Sequence, residues 1–135
     1  MNLYETVELI KTLADSQPNV NLCYEGDVYR LNEWQNIQYA AVVISQTQHN
    51  EVGDNRTYGF NLFYVDRLLD DKSNKLEIQS AALEALSNII AALRDTFEIE
   101  SATYQPFTER FDSECAGAYV TVGLQQPIEY CADSF

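Results

Sequence analysis

This 135-residue sequence contains clustered carboxylates, which could bind a metal ion or act in catalysis. Asp66, Asp70 and Asp71 surround the predicted end of a strand, and two such side chains can hold Mg²⁺. The alternative is a solvated turn whose negative charge favours the N-terminus of the helix that follows. Paired carboxylates are common by chance in a chain this acidic, so we expect neither a metal site nor a catalytic residue here.

The cysteines and the histidine offer a second possible chemistry. Cys23, Cys115 and Cys131 form no C-x-x-C pair, and the local sequence supplies no set of zinc ligands. Cys23 lies in a strand-like run and is predicted to be a small buried hydrophobe in a reduced, cytosolic setting. His49 is the only histidine, and we expect it in a solvent-facing loop. The motifs of serine hydrolases, P-loop proteins, dinucleotide-binding proteins and zinc peptidases do not occur, so no enzymatic activity and no cofactor are predicted.

Aromatic residues point to binding rather than catalysis. The chain has nine tyrosines, six phenylalanines and one tryptophan, and tyrosine and tryptophan are enriched at protein–protein interfaces. One buried sheet face would not readily take all of them, although ordinary core and strand tyrosines are the alternative. The candidate interface residues are His49, Asn50, Glu51, Tyr58, Tyr64 and Trp34.

The net charge of −13 restricts the possible partners. Nucleic-acid binding requires clustered Lys and Arg, which this chain lacks. The longest apolar runs, Tyr39–Ile44 and Ile89–Leu93, are too short to cross a bilayer, and Met1–Glu5 has no signal-peptide character. We therefore expect no membrane partner. The charge serves either solubility or the lining of a passage where a polyanion slides without sticking.

The first predicted element is a short helix. Apolar residues recur with the 3.6-residue period from Leu3 to Ala14. Asn2 and Glu5 have capping-box spacing, and Pro18 enforces the end of the helix.

Strands follow this helix. The pattern predicts a strand at Val20–Tyr24, a possible short return at Val28–Leu31 and a central strand at Tyr39–Ile44. The polar loop Gln46–Arg56 then leads into a strand at Thr57–Asp66, which gives a long β-hairpin. Residues of that strand alternate between two faces: Tyr58, Phe60, Leu62 and Tyr64 share one, and Asn61, Phe63 and Val65 share the other.

A long helix is predicted over Asn74–Phe97, again with capping-box spacing, here between Asn74 and Glu77. Its apolar stripe consists of Ile78, Ala82, Ala85, Ile89 and Leu93.

A second hairpin, Ala102–Arg110 with Ala116–Leu124, closes the chain before a tail over about 126–135. Pro106 suits an edge strand. The sequence thus predicts one α+β domain over residues 1–135, with a mainly antiparallel sheet and one long and one short helix packed on it in two layers.

This element order resembles that of tail-terminator and head–tail joining proteins of tailed bacteriophages. The stretch Phe60–Asp71 with Ile78–Ser80 is most similar to small neck proteins of phages that infect gut Bacteroidetes, including the connector ring proteins of crAss-like phages. The resemblance implies a virion protein of the neck, synthesised in the host cytoplasm. Its partners would be copies of itself in a ring and neighbouring portal, connector or tail proteins, and genome DNA would pass through without tight binding.

Two alternatives stay open. The first is an acidic monomeric adaptor or inhibitor that mimics nucleic acid. The second is a small hydrolase that uses an Asp/Glu cluster with a metal.

Overall fold

A computed structural model describes residues 2–26, 40–68, 73–110 and 115–127. The predicted tail beyond Pro127 and the possible strand Val28–Leu31 lie outside these residues. In chain order the elements are α1 (Leu3–Asp15), β1 (Leu22–Glu25), β2 (Ala41–Gln46), β3 (Asn50–Val52), β4 (Asn55–Arg67), α2 (Lys75–Leu93), β5 (Ala102–Arg110) and β6 (Cys115–Pro127).

The strands form one sheet in the order β1-β2-β4-β6-β5, with β3 paired to β4. All neighbouring pairs are antiparallel except β1 and β2, which are parallel. The predicted α+β class with a mainly antiparallel sheet is confirmed. The pair β1 and β2 is the exception to the antiparallel arrangement, because parallel neighbours require a longer crossover connection than a tight turn.

Helix α1 begins and ends where its local sequence predicts. The Glu5 backbone N–H donates to Asn2 Oδ1 at 2.8 Å, and the Asn2 backbone N–H donates to Glu5 Oε1 at 3.1 Å. This reciprocal capping box satisfies donors that the first helical turn leaves without partners. The helix ends at Asp15, before Pro18.

Helix α2 is shorter than predicted at its C-terminal end, and its capping box does not form. The Asn74 side chain makes no cap hydrogen bond and instead donates to the Arg67 carbonyl at 3.2 Å. After Leu93 the chain turns, and Arg94 Nη1 donates to the Ile99 carbonyl at 2.8 Å. That turn brings Glu98 into a bridge with Gln125 of β6, which ends the helix before Phe97.

The main core lies between the two helices and one face of the sheet. The predicted stripe of α2 is buried there, together with Ile10 of α1 and Phe60 and Leu62 of β4. Helix α2 has a mean hydropathy of 1.2, so by length and composition alone it could also cross a membrane. The short apolar runs in the sequence did not indicate such a helix. A core helix has the same composition, and the buried stripe packed on the sheet accounts for the apolar character of α2.

The opposite face of the sheet carries a smaller apolar cluster. Val43, Phe63, Val65, Phe107 and Cys115 are buried there, and the Phe63 ring stacks on Tyr119 with centroids 5.0 Å apart. The two-face alternation predicted for β4 is therefore confirmed. Since β4 is the middle strand, it buries apolar side chains on both sides.

The closing hairpin is longer than predicted. Strand β6 runs to Pro127, and its last residues pair with the start of β4, Asn55 with Pro127 and Arg56 with Gln126. The predicted tail therefore begins at least two residues later than residue 126. Strand β5 is the edge strand that Pro106 indicated.

Candidate functional site

The predicted polar loop Gln46–Arg56 is itself a β-hairpin, which corrects the loop assignment. Strand β3 pairs with the start of β4, from Asn50 opposite Thr57 to Val52 opposite Asn55. The two-residue turn between them begins at Gly53, whose φ of 59° is a conformation that glycine adopts without strain. Residues 47–57 are called the arm below.

A β-bulge joins the arm to the body of the sheet. Gln46 pairs with Phe60, and the next pair along the hairpin is Asn50 with Thr57. Between these pairs three residues, 47 to 49, face only two, 58 and 59. An extra residue on one strand bends the strand and increases its twist, so the bulge sets the direction in which the arm leaves the sheet.

Gly59 is required at the bulge because the opposite backbone approaches it closely. A Cβ atom at this position would collide with the Gln48 carbonyl oxygen and the Thr47 hydroxyl. The Gly59 carbonyl accepts a hydrogen bond from the Thr47 N–H at 2.9 Å. A glycine inside a strand pattern is a known sign of a bulge, and this signal was available in the sequence.

His49 closes the bulge with its side chain. The Gly59 N–H donates to His49 Nδ1 at 3.1 Å, and His49 Nε2 lies 3.0 Å from Gln46 Oε1. The ring also meets Tyr58 edge to face, with centroids 5.5 Å apart. His49 is exposed, as predicted, but it is hydrogen-bonded at both ring nitrogens rather than a loop residue without partners.

An ion pair ties the two strands of the arm together. Arg56 Nη2 lies 3.0 Å from Glu51 Oε1, and Arg56 Nη1 donates to the Tyr58 hydroxyl at 3.3 Å. These hydrogen bonds, first to Tyr58 and then to Glu51, raise the pKa of Arg56, so the guanidinium keeps its charge. An exposed ion pair of this kind is screened by solvent and contributes little to stability, so its main effect is to orient the arm.

Four of the predicted interface residues meet in one place. His49, Asn50, Glu51 and Tyr58 line a surface depression of about 490 Å³, and Arg56 completes it. Sequence reasoning missed Arg56, although its opposite charge to Glu51 across a turn signal could have indicated the pair. Tyr58 is buried, with 6% of its surface exposed, so it contributes little of the accessible surface of the depression.

Of the other two predicted residues, Tyr64 is not part of this site. Tyr64 is 2% exposed in the main core, and its hydroxyl donates to the Asn19 carbonyl at 3.3 Å. Its assignment to an exposed interface is wrong, because it shares the helix-covered face of β4 with Phe60 and Leu62. Trp34 lies outside the described residues.

A second cleft, of about 450 Å³, opens near the start of α2 and includes Asp66 and Glu77 in its lining. Burial raises the pKa of Asp66, and the Arg67 N–H donating to Asp66 Oδ1 at 2.8 Å opposes that shift. Among the residues that the structure describes, no three His, Cys, Asp or Glu side chains come together as metal ligands. Asp70 and Asp71 lie outside that part of the chain.

Cys23 is a half-buried thiol that packs against the main core. Burial, followed by the nearby Asp15 carboxylate, raises the pKa of Cys23 to about 12. A thiol with so high a pKa is a poor nucleophile at neutral pH, which agrees with its prediction as a small hydrophobe.

No protein-family model matches the chain, and no curated protein sequence is significantly similar to it. The observations that bear on function are therefore the fold, the charge and the exposed arm.

Proposed function

We propose that this protein is a non-enzymatic structural protein of a tailed-bacteriophage virion, which forms a homo-oligomeric ring in the neck between portal and tail. The arm is the observation that carries the proposal. All three residues of β3 are exposed, and Val52 at its end presents an apolar side chain with 73% of its surface accessible. An exposed strand with an apolar end is suited to lie across a neighbouring subunit.

The order of elements supports the same proposal. A short N-terminal helix, a long hairpin, a central helix and a closing hairpin occur in the sequence of elements that the phage connector proteins share. The hairpin includes the arm, which is the segment that we propose contacts a neighbouring copy.

The charge supports the proposed position in the virion. With a net charge of −13 per subunit, a ring of these subunits would be strongly acidic, and we propose that its lumen is too. Such a lumen repels the phosphate backbone, so genome DNA would slide through without being trapped.

The test is assembly of the full-length protein. Light scattering after size-exclusion chromatography over a range of concentrations, together with negative-stain electron microscopy, should reveal closed rings with a central channel. The same preparation added to particles that lack their neck protein should restore tail attachment. A protein that stays monomeric at every concentration and restores no attachment would overturn the proposal.

The net charge also favours one alternative, an acidic monomeric adaptor or inhibitor that mimics nucleic acid. Competition separates it from the ring protein. A mimic displaces DNA from a basic DNA-binding protein, and this displacement weakens as salt is added. A ring subunit does not displace DNA in that assay.

A further inference from the structure

We propose that the neutral form of His49 positions the arm, and that protonation of its imidazole releases the arm from the direction set by the bulge. The proposal concerns one hydrogen bond at the base of the arm, from the Gly59 N–H to His49 Nδ1 at 3.1 Å. Its consequence for ring assembly rests on the proposed function, but the change in the arm itself does not.

The bulge makes this hydrogen bond necessary. The Gly59 N–H and carbonyl point to the same side of β4, where the carbonyl accepts from Thr47. Because the bulge inserts an extra residue opposite, the His49 imidazole accepts the Gly59 N–H where a regular ladder would supply a backbone carbonyl. The imidazole can no longer accept this hydrogen bond once Nδ1 itself carries a proton.

A chain of hydrogen bonds fixes which ring nitrogen carries the hydrogen. The Glu25 carboxylate on β1 only accepts, so the Gln46 amide must turn its Nε2 toward it, at 3.1 Å. Gln46 Oε1 then faces His49 Nε2 at 3.0 Å and accepts its hydrogen. The neutral tautomer therefore has its hydrogen on Nε2 and a lone pair on Nδ1, as the Gly59 N–H requires.

Protonation leaves one of these contacts intact and breaks the other. Nε2 still donates to Gln46, whereas the new hydrogen on Nδ1 faces the Gly59 N–H, so two donors oppose each other. Histidine changes charge between about pH 5 and 8, within the range of ordinary buffers.

The other groups that face this site do not replace the lost acceptor. On the arm, Glu51 and Arg56 are bound to each other, with Arg56 also on the Tyr58 hydroxyl. On β1, Glu25 reaches the histidine only through Gln46. The loss of this acceptor therefore acts at the base of the arm, between residues 47–49 and 58–59.

His49 can be followed without ambiguity because the chain has no other histidine. In ¹⁵N NMR spectra at pH 8, we expect one protonated and one unprotonated ring nitrogen. On titration to pH 5, the Gly59 amide resonance should move with the same midpoint as the ring. Amide exchange at Gly59, corrected for its intrinsic pH dependence, should rise by about tenfold, the equivalent of one hydrogen bond. Leu62, in the body of the same strand, is the internal control and should not change.

Two variants isolate the ring nitrogen. In His49→Asn, Oδ1 takes the place of Nδ1 as an acceptor that does not titrate, so the Gly59 amide should stay protected at both pH values. In His49→Phe, an aromatic ring remains against Tyr58 but the hydrogen-bond acceptor is lost. The Gly59 amide of this variant should therefore exchange fast at both pH values.

The outcome that overturns the proposal is equally direct. The proposal fails if Gly59 in the unmodified protein shows no change between pH 8 and 5. It also fails if His49→Asn keeps the full pH dependence, since carboxylates would then be responsible. Neither readout depends on oligomers, so an arm that responds to pH in a protein that forms no ring leaves this inference standing and removes only the proposed function.

Discussion

The body of the long hairpin and its arm share strand β4 but are held by different forces. In the body, residues 41–44 of β2 and 62–65 of β4 are buried on both faces of the sheet. In the arm, β3 is exposed along its whole length and is joined to β4 by backbone hydrogen bonds and the exposed Arg56–Glu51 pair. Strand β4 runs through both parts, and the change from the buried body to the exposed arm takes place at Gly59.

This difference teaches where stability and recognition reside. Burial of apolar side chains contributes about 25 cal/mol per Å², so the body carries the free energy of folding. The arm contributes little to that free energy, and its residues are therefore free to serve contact with another molecule. Changes in the body should alter the free energy of unfolding, whereas changes in the arm should alter assembly.

The largest expected effect comes from a cavity in the body. Leu62→Ala removes a fully buried side chain at the centre of β4 and should lower the free energy of unfolding by about 2–5 kcal/mol. The matched control is Val52→Ala on the arm, where the side chain is exposed and the expected loss is about 0.5 kcal/mol or less. Urea denaturation followed by circular dichroism measures both, and equal losses would remove the distinction between body and arm.

The second effect is expected at the bulge itself. Gly59→Ala forces a methyl group onto the Gln48 carbonyl and should cost about 1–3 kcal/mol. Gly123→Ala, on the neighbouring strand β6, is the control, because its Cβ would meet only the Thr57 methyl, at 3.0 Å. If the two substitutions cost the same, close backbone approach is not what selects glycine at position 59.

Alkaline pH should weaken the fold outside the long hairpin as well, through Cys23 on β1. The thiol has a pKa of about 12 in the fold against 9.0 for an unperturbed cysteine. Its neutral form therefore stabilises the protein fully below pH 9, and this contribution is lost as the pH rises toward 12. Tyr64, with a pKa raised chiefly by burial to about 12, adds a loss above its ordinary value of 10.

The measurement compares the original protein with Cys23→Ala in urea at pH 8 and pH 10.5. The free energy of unfolding of the original protein should fall by about 1–2 kcal/mol more than that of the variant over this interval. Parallel falls would show that the Cys23 thiol is not desolvated in the folded state.

Local patterns predicted the parts of the fold that local physics decides. The capping box at Asn2 and Glu5 and the alternation along β4 each depend on neighbours within a few residues, and both are confirmed. The same alternation placed Tyr64 with Phe60 and Leu62 on the core face, so its assignment as an interface residue ignored evidence already in the pattern.

Long-range geometry decides what the sequence did not reveal. Gly59 inside a strand pattern is a local sign of a bulge, but the residues that face it are set by the register of β2 and β3 against β4, which no single segment encodes. Strand β3 resembled a loop because all three of its residues are exposed and no apolar alternation marks it. The capping box predicted at Asn74 failed because the Arg67 carbonyl, seven residues earlier, takes its side chain.

The smallest effect on stability, and the largest on assembly, is expected from removal of the arm. Deletion of residues 47–54 leaves five residues, 55–59, between the paired positions Gln46 and Phe60, a length that hairpin loops accommodate. The free energy of unfolding, measured by thermal denaturation, should change by about 1 kcal/mol or less, because exposed hairpin ends tolerate shortening. Ring formation should be lost.

A pair of point substitutions separates contact by the arm from a general effect of charge. Val52 on the arm and Tyr4 on α1 are equally exposed, each at 73%. Val52→Asp and Tyr4→Asp add the same negative charge to the same protein, so any change in overall repulsion between copies is common to both. Light scattering should show loss of assembly for Val52→Asp alone. Equal loss in both variants would mean that repulsion and not the arm controls association, and a deletion that unfolds the domain would show that the arm belongs to the body after all.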